Sequence, residues 1–256
     1  CLESSPSPPV KAKSPLPTSP MPGSADATIA EKYKKMTQRE HIYKLPDTYV
    51  GCAEPIVDAM YLFDDSTGTM RFQSQVSYVP ALYKVLDELL VNAWDQKIRV
   101  DTALLRGSKQ KMHPVKNLYI EVNPETGEIM VQNDGDGIDV AMHPKEKVYT
   151  VEMIFGHCLT STNYTKEEKL TGGKNGYGAK LANVFAHRFE VETIDANRKL
   201  KYTQVFENNM LTIGTPVVKK CKLKPYTRVK MMPDLERFGM SKWSDEMMQI
   251  VKKRAY

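Results

Sequence analysis

Thr171-Gly172-Gly173-Lys174-Asn175-Gly176-Tyr177-Gly178-Ala179-Lys180 sets four glycines within seven residues and opens into an apolar, helix-spaced run over 179–187. Such a segment can close backbone N–H groups around an anion, helped by the positive end of the helix that follows. Lys174 and Lys180 add charge to that cradle. Three familiar phosphate loops fail on it. Laid on Gly173 and Gly178, the P-loop pattern needs Lys where Ala179 stands and Ser or Thr where Lys180 stands. A kinase glycine loop lies between strands, whereas a helix pattern follows here. A Rossmann fingerprint follows the first strand of a βαβ unit, and no such unit precedes this segment.

Moving outward, Pro80 opens a helical pattern with Leu82, Val85, Leu86, Leu89, Leu90 and Ala93 on one side. Glu88, Asn92 and Asp95 recur at i, i+4 and i+7, so they share the opposite face. An amide oxygen can ligate a hard cation such as Mg²⁺, and a carboxylate one turn away can take a proton from water. A solvated polar face of an ordinary amphipathic helix is the plainer reading of the same spacing. Residues 101–115 are polar, contain Gly107 and Pro114, and read as a loop. A hairpin follows: Leu118, Ile120 and Val122 alternate, Asn123–Gly127 turns, and Ile129 and Val131 continue the alternation. It ends in Asn133-Asp134-Gly135-Asp136-Gly137-Ile138. Two glycines one residue apart allow a sharp turn and a close approach to a flat ligand, with a polar side chain at the strand end to read its edge. An Asp-Gly turn alone accounts for the same residues. A calcium loop lacks its spacing and its distal Glu.

Helix signals return over 151–159, and strand-like runs occupy 189–194, 200–206, 210–213 and 229–232. A closing helix is expected over 245–256. One α+β domain of about 230 residues accommodates these better than two. Residues 1–24, with seven prolines and six serines, read as a Pro/Ser-rich tail carrying four Ser-Pro pairs.

Composition narrows the class. The chain has 256 residues, is 41% hydrophobic and carries a net charge of +5. Residues 196–256 hold 14 basic and 5 acidic side chains, so the remainder is net acidic. That basic quarter can touch nucleic acid or simply be a solvated edge. Four scattered cysteines, with no C-x-x-C, argue against a disulfide framework or zinc site and for a reducing compartment. No apolar run approaches the ~20 residues of a membrane span. The first residue is Cys rather than Met, which fits a segment of a longer product.

The order of these motifs, a Glu/Asn/Asp helix, then N-x-G-x-G after a strand, then G-x-N-G-x-G-x-K before a helix, resembles the GHKL ATPases. Within that group the chain is similar to the ATPase domain of eukaryotic-type type IIA DNA topoisomerases, from about Tyr33 onward. Further stretches that carry the resemblance are Tyr33–Ile42, Pro46–Gly51, Leu159–Tyr164 and Arg254-Ala255-Tyr256. The resemblance implies a Bergerat-type α+β sandwich, helices packed on one face of a mixed, mainly antiparallel sheet. It implies a strap over 25–50, a GHKL domain over 51–256, and transducer and DNA-cleavage domains outside this chain. It also implies ATP and Mg²⁺ as cofactors, a second copy of the chain as partner through strap exchange, duplex DNA as the substrate of the whole enzyme, no membrane, and a nuclear or virus-encoded setting.

Residue by residue, the resemblance makes Glu88 the general base and Asn92 the Mg²⁺ ligand, with Asp95 and Gln96 lining the nucleotide pocket. Asn133 would read adenine, standing where bacterial relatives carry Asp, and Ile138 and Phe155 would wall the base. Ser161, Thr162 and Asn163 would reach phosphate and ribose, Thr162 replacing the usual Ser. Gly173, Lys174, Asn175, Gly176, Tyr177, Gly178, Ala179 and Lys180 would wrap the triphosphate, and Tyr33 would reach the partner's nucleotide. Trp94 departs from the small residue usual there, as a repacked core or an altered nucleotide fit. Without a transducer lysine, slow hydrolysis is expected. Two other readings are a chaperone or mismatch-repair ATPase of the same group, disfavoured by Thr37-Gln38 and Thr160–Tyr164, and a DNA-binding scaffold with a decayed pocket, disfavoured by the intact Glu88, Asn92 and glycines.

Overall fold

The computed structural model describes residues 35–108, 111–158 and 178–256. The tail over 1–24, Tyr33, Ser161, Thr162, Asn163, Gly173, Lys174, Asn175, Gly176 and Tyr177 lie outside the described residues. Thr37–Tyr256 form one unit.

Helix α1 (Gln38–Lys44) starts at a capping box. The Thr37 hydroxyl accepts from Glu40 N–H at 3.2 Å, and the Glu40 carboxylate accepts from Thr37 N–H at 2.8 Å. The box seats Ile42 in the core, fully buried. Strands β1 (Ile56–Asp64) and β2 (Thr69–Tyr78) then form a separate antiparallel hairpin. Its turn is set by Asp64, whose carboxylate accepts from Ser66 N–H at 2.9 Å, and by Gly68 at φ +65°.

Helix α2 (Pro80–Leu105) runs for 26 residues. Pro80 sits at its start, where a missing N–H loses nothing, and Ala81 N–H bonds Cys52 O at 2.9 Å. Ala81, Leu82, Val85, Leu86, Leu89, Leu90, Ala93 and Val100 are buried along it, the spacing of one apolar stripe. The loop expected from residue 101 begins five residues later. No Gly or Pro interrupts Asp101–Leu105, and the helix ends only where Gly107 takes a left-handed φ of +72°.

Strands β3 (Leu118–Val122) and β4 (Ile129–Asp134) form the expected hairpin, pairing Ile120 with Val131. Asn123 fastens the turn through its side-chain oxygen, which accepts from Glu125 N–H at 2.9 Å and Thr126 N–H at 3.1 Å. Short helices α3 (Thr150–Gly156) and α4 (Gly178–Val184) follow, then β5 (Ala186–Asp195), β6 (Leu200–Glu207), β7 (Thr212–Ile213), β8 (Val217–Lys220) and β9 (Tyr226–Pro233), and last α5 (Asp245–Ala255). The Ser244 hydroxyl caps α5 by accepting from Met247 N–H at 3.2 Å.

The main sheet has seven strands in the order β3-β4-β9-β5-β6-β7, with β8 also on β6. Every pairing in it is antiparallel among the described residues, the antiparallel end of the mixed sheet expected. One sheet face is buried: Thr227, Val229, Met231 and Pro233 on β9 alternate with half-exposed neighbours. Helices α2 and α4 cover that side, α2 lying against α4 and β4, while α5 packs on α2 and the β1–β2 hairpin; Phe185, Phe189, Phe206 and Phe238 are fully buried. The other face carries ion pairs. Burial opposes ionisation of Glu192, yet Lys201, Tyr226 and Arg228 outweigh it and hold its carboxyl down at about 2.

Candidate nucleotide site

Helix α2 presents Lys84, Glu88, Asn92 and Gln96 one turn apart. The Glu88 side chain is 15% exposed, and Lys84 Nζ lies 2.5 Å from its Oε1. Burial opposes the charge on Lys84, but the Glu88 partner outweighs it and raises the ammonium above its ordinary value. Lys84 therefore fixes the acid in orientation. Nothing in the sequence reading singled it out, although its i−4 spacing was there to be seen.

The other Glu88 oxygen faces Gly178. A Cβ built on Gly178 would sit 2.0 Å from Glu88 Oε2 and 3.5 Å from Asn92 Nδ2. Only a residue without a side chain lets α4 begin against the carboxylate. Asn92 donates through Nδ2 to the Glu88 backbone carbonyl, so its amide oxygen is the end left for a cation. A carboxylate and an amide oxygen are the hard donors that Mg²⁺ takes, and Gly178 brings the backbone at the start of α4 up against them. The residues present fit a metal-bound phosphate.

Asp95, on the same helix, is 6% exposed. With Glu88 also covered, the solvated polar face fails as a description of these residues. Trp94 is 51% exposed, so it does not repack the core. Gln96 donates from Nε2 to Asp136 O at 2.8 Å and accepts from Arg99 at 2.8 Å. It thereby ties α2 to the Asn133–Ile138 loop.

That loop is anchored on both sides. Asp134 accepts from Lys116 N–H, Asn117 N–H and Asn117 Nδ2 at 2.7, 2.9 and 2.8 Å. Burial pushes its carboxyl up, but these bonds from Asn117 and Lys116 hold it below the ordinary value. Asp136 Oδ1 lies 2.8 Å from His113 Nδ1. Gly135 turns at φ +85°, and a Cβ there would meet Val115 at 2.8 Å. A Cβ on Gly137 would meet Ile194 O at 2.3 Å. The sharp turn expected of the two glycines is present. The side each would crowd, however, is packed against the protein itself.

Asn133 is the next-to-last residue of β4 and is 3% exposed, its Nδ2 donating to Asp134 O at 3.0 Å. It pairs with Thr227 of β9. Thr227 Oγ1 is 2.9 Å from Thr193 Oγ1, which accepts from Ile138 N–H at 3.0 Å. Neither threonine was expected: each is a lone hydroxyl in a strand, brought to Asn133 only by the β4-β9-β5 order. Buried amide and hydroxyl groups of this kind can read the edge of a flat heterocycle. Ile138 packs against the core, and Phe155 is 5% exposed with its ring 6.0 Å from Phe189. Phe155 thus sits within the core cluster.

At the start of α4, Ala179 and Lys180 are buried. Burial pulls the Lys180 ammonium down to about 8, opposed by the Cys158 thiol beside it. Asn183 donates to Phe155 O at 3.0 Å, and its buried Oδ1 has no hydrogen-bond partner among the described residues. The described part of all three motifs therefore converges on α2: Gly178 on Glu88, and Asp136 on Gln96.

No family model matches the chain. The DNA topoisomerase 2 of Pisum sativum is 44% identical over 244 residues, covering 94% of this chain and 16% of that protein. That of Saccharomyces cerevisiae is 42% identical over 231 residues, covering 90% of this chain and 15% of that protein. The chain thus spans about a sixth of the length of these curated relatives. Among solved structures, the ATPase region of Saccharomyces cerevisiae topoisomerase II superposes with a TM-score of 0.80 at 42% identity, over 88% of this chain and 56% of that one. The 43K ATPase domain of Thermus thermophilus gyrase B shares the fold at a TM-score of 0.52 and 19% identity, over 82% of this chain and 43% of that one. In sequence and in fold, this chain is a homologue of the ATPase region of the DNA topoisomerase 2 family.

Proposed function

We propose that the chain binds and hydrolyses ATP as the entry gate of a type IIA DNA topoisomerase. The observation that carries this is the convergence of the Glu88 carboxylate, Asn92 and the side-chain-free Gly178 on one point. Glu88 takes a proton from the water that attacks the γ-phosphate, with the Lys84 ammonium holding the carboxylate in position. Asn92 supplies an oxygen to Mg²⁺, which when bound neutralises phosphate charge. Asn133, with Thr193 and Thr227 behind it, reads the adenine edge, and Ile138 covers its face. The glycine segment over 171–180 closes on the phosphates, and Lys180 adds an ammonium at its end.

In the whole enzyme, nucleotide binding would join two copies of the chain, with Tyr33 of each strap reaching the other's nucleotide, and trap a DNA duplex. The setting is nuclear, or that of a virus-encoded enzyme. Replacing Glu88 by Gln tests the chemistry. Binding of labelled ATP with Mg²⁺ is expected to persist while steady-state phosphate release falls at least about a hundredfold. Unchanged release in that variant removes Glu88 from the mechanism.

A further inference from the structure

The edge of the sheet farthest from β3 carries charge that the nucleotide site does not use. Between Glu207 and Asp234 the chain has no acidic residue but six basic ones. Arg228 and Lys230 are spoken for, by Glu192 and Glu128. Lys219, Lys220, Lys222 and Lys224 are all exposed, and none makes an ion pair among the described residues. Among the described residues strand β8 pairs only with β6, Lys219 opposite Lys201. The Cys221 N–H donates to Lys199 O at 2.8 Å, which draws the run after β8 alongside the exposed Arg198-Lys199 turn.

We infer that this lysine edge, Lys219 to Lys224, binds the phosphate backbone of duplex DNA at a surface separate from the nucleotide site. The inference rests on the reading that the parent protein acts on duplex DNA. Four chemical features single out that partner. The residues are lysines, point charges suited to phosphate rather than to base edges. Residues 208–225 contain no Phe, Tyr or Trp, so the lysine run itself offers no ring on which single-stranded bases could stack. Six residues in extended chain cover up to ~17 Å, several phosphates of one strand at ~3.4 Å each. A membrane surface would demand an apolar face, and between Lys219 and Lys224 Leu223 is the one exposed large apolar side chain. Four strand spacings of ~4.8 Å put this edge about 19 Å from β4, so duplex and nucleotide can be held together.

Lysines also guard sheet edges against adding another strand, and Lys219 and Lys220 stand where they would do so. Lys222 and Lys224 lie beyond the strand, and they make the cleaner test. The measurement is anisotropy of a short labelled duplex titrated with the 256-residue chain, wild type and Lys222→Gln/Lys224→Gln, across a KCl series. The variant is expected to bind at least about tenfold more weakly at low salt, with its salt slope shallower by about two. An unchanged slope overturns the inference, as does tighter binding to single strands or to phosphatidylserine vesicles than to duplex. ATP binding measured on the same samples separates the two readings. Intact ATP binding with an unchanged slope defeats the lysine surface alone. Lost ATP binding in the wild type, with lysine-dependent duplex binding, defeats the ATP gate alone.

Discussion

Gly137 and Gly178 are both glycines because a Cβ has no room, yet what fills that room differs. At Gly137 it is the backbone of β5, Ile194 O at 2.3 Å. At Gly178 it is the tip of a flexible side chain, Glu88 Oε2 at 2.0 Å. A backbone carbonyl within a paired strand cannot retreat, so the first glycine serves the fold. A carboxylate can swing away, so the second serves the site. Two glycines that look alike in sequence should fail in opposite assays.

The sharpest break is Gly178→Ala. Alanine favours the helix that starts there, and Glu88 can move, so the melting temperature should hold within a few degrees. Phosphate release should fall about a hundredfold or more as the displaced acid loses its aim. A melting loss comparable to that of Gly137→Ala would erase the contrast. Gly137→Ala itself should cost about 1–3 kcal/mol in urea unfolding, the range for overpacking a closed site. Retained stability there would mean that β5 yields after all.

Smaller effects sharpen the picture on each side. On the site's side, the Lys180 ammonium is held at about 8 by burial, so it loses its proton as pH rises through that value. ATP affinity should then decline up to about tenfold from pH 7 to 9, and Lys180→Met should flatten the decline. On the fold's side, Asp134 has its carboxyl lowered below 3.8, burial being outweighed by Asn117 and Lys116. Its stabilisation is present above that unfolded value and is lost as pH falls through the lower folded value. Asp134→Asn should therefore flatten acid unfolding below about pH 4 by less than about 1 kcal/mol.

Much of this was legible in the chain, for reasons that can be named. The leucine stripe of α2 and the alternation of β3 and β4 each bury one face, and burial of one face writes a period. Motif order survived because Glu88, Asn133–Gly137 and the glycine segment keep their local spacing wherever the topology carries them. The β1–β2 hairpin went unread because its residues are mostly exposed on both sides, with Val57, Tyr61 and Phe72 all in contact with solvent. Thr193 and Thr227 could not be found either, since only the β5–β9 register brings their hydroxyls together. The end of α2 was read too early because Asp101 and Thr102 are polar, and polarity marks an exposed face as readily as a loop.

Helix α2 is also a ruler. Lys84, Glu88, Asn92 and Gln96 step along it by four residues, and each step advances about 6 Å along the axis. From the acid at Glu88 to the bridge at Gln96 is thus about 12 Å, set by the rise of one helix rather than by loop lengths. Side chains along this length can be exchanged one at a time. Insertion of a single residue between Glu88 and Gln96 would turn the far end by about 100°, parting the end that meets Gly178 from the end that holds Asp136.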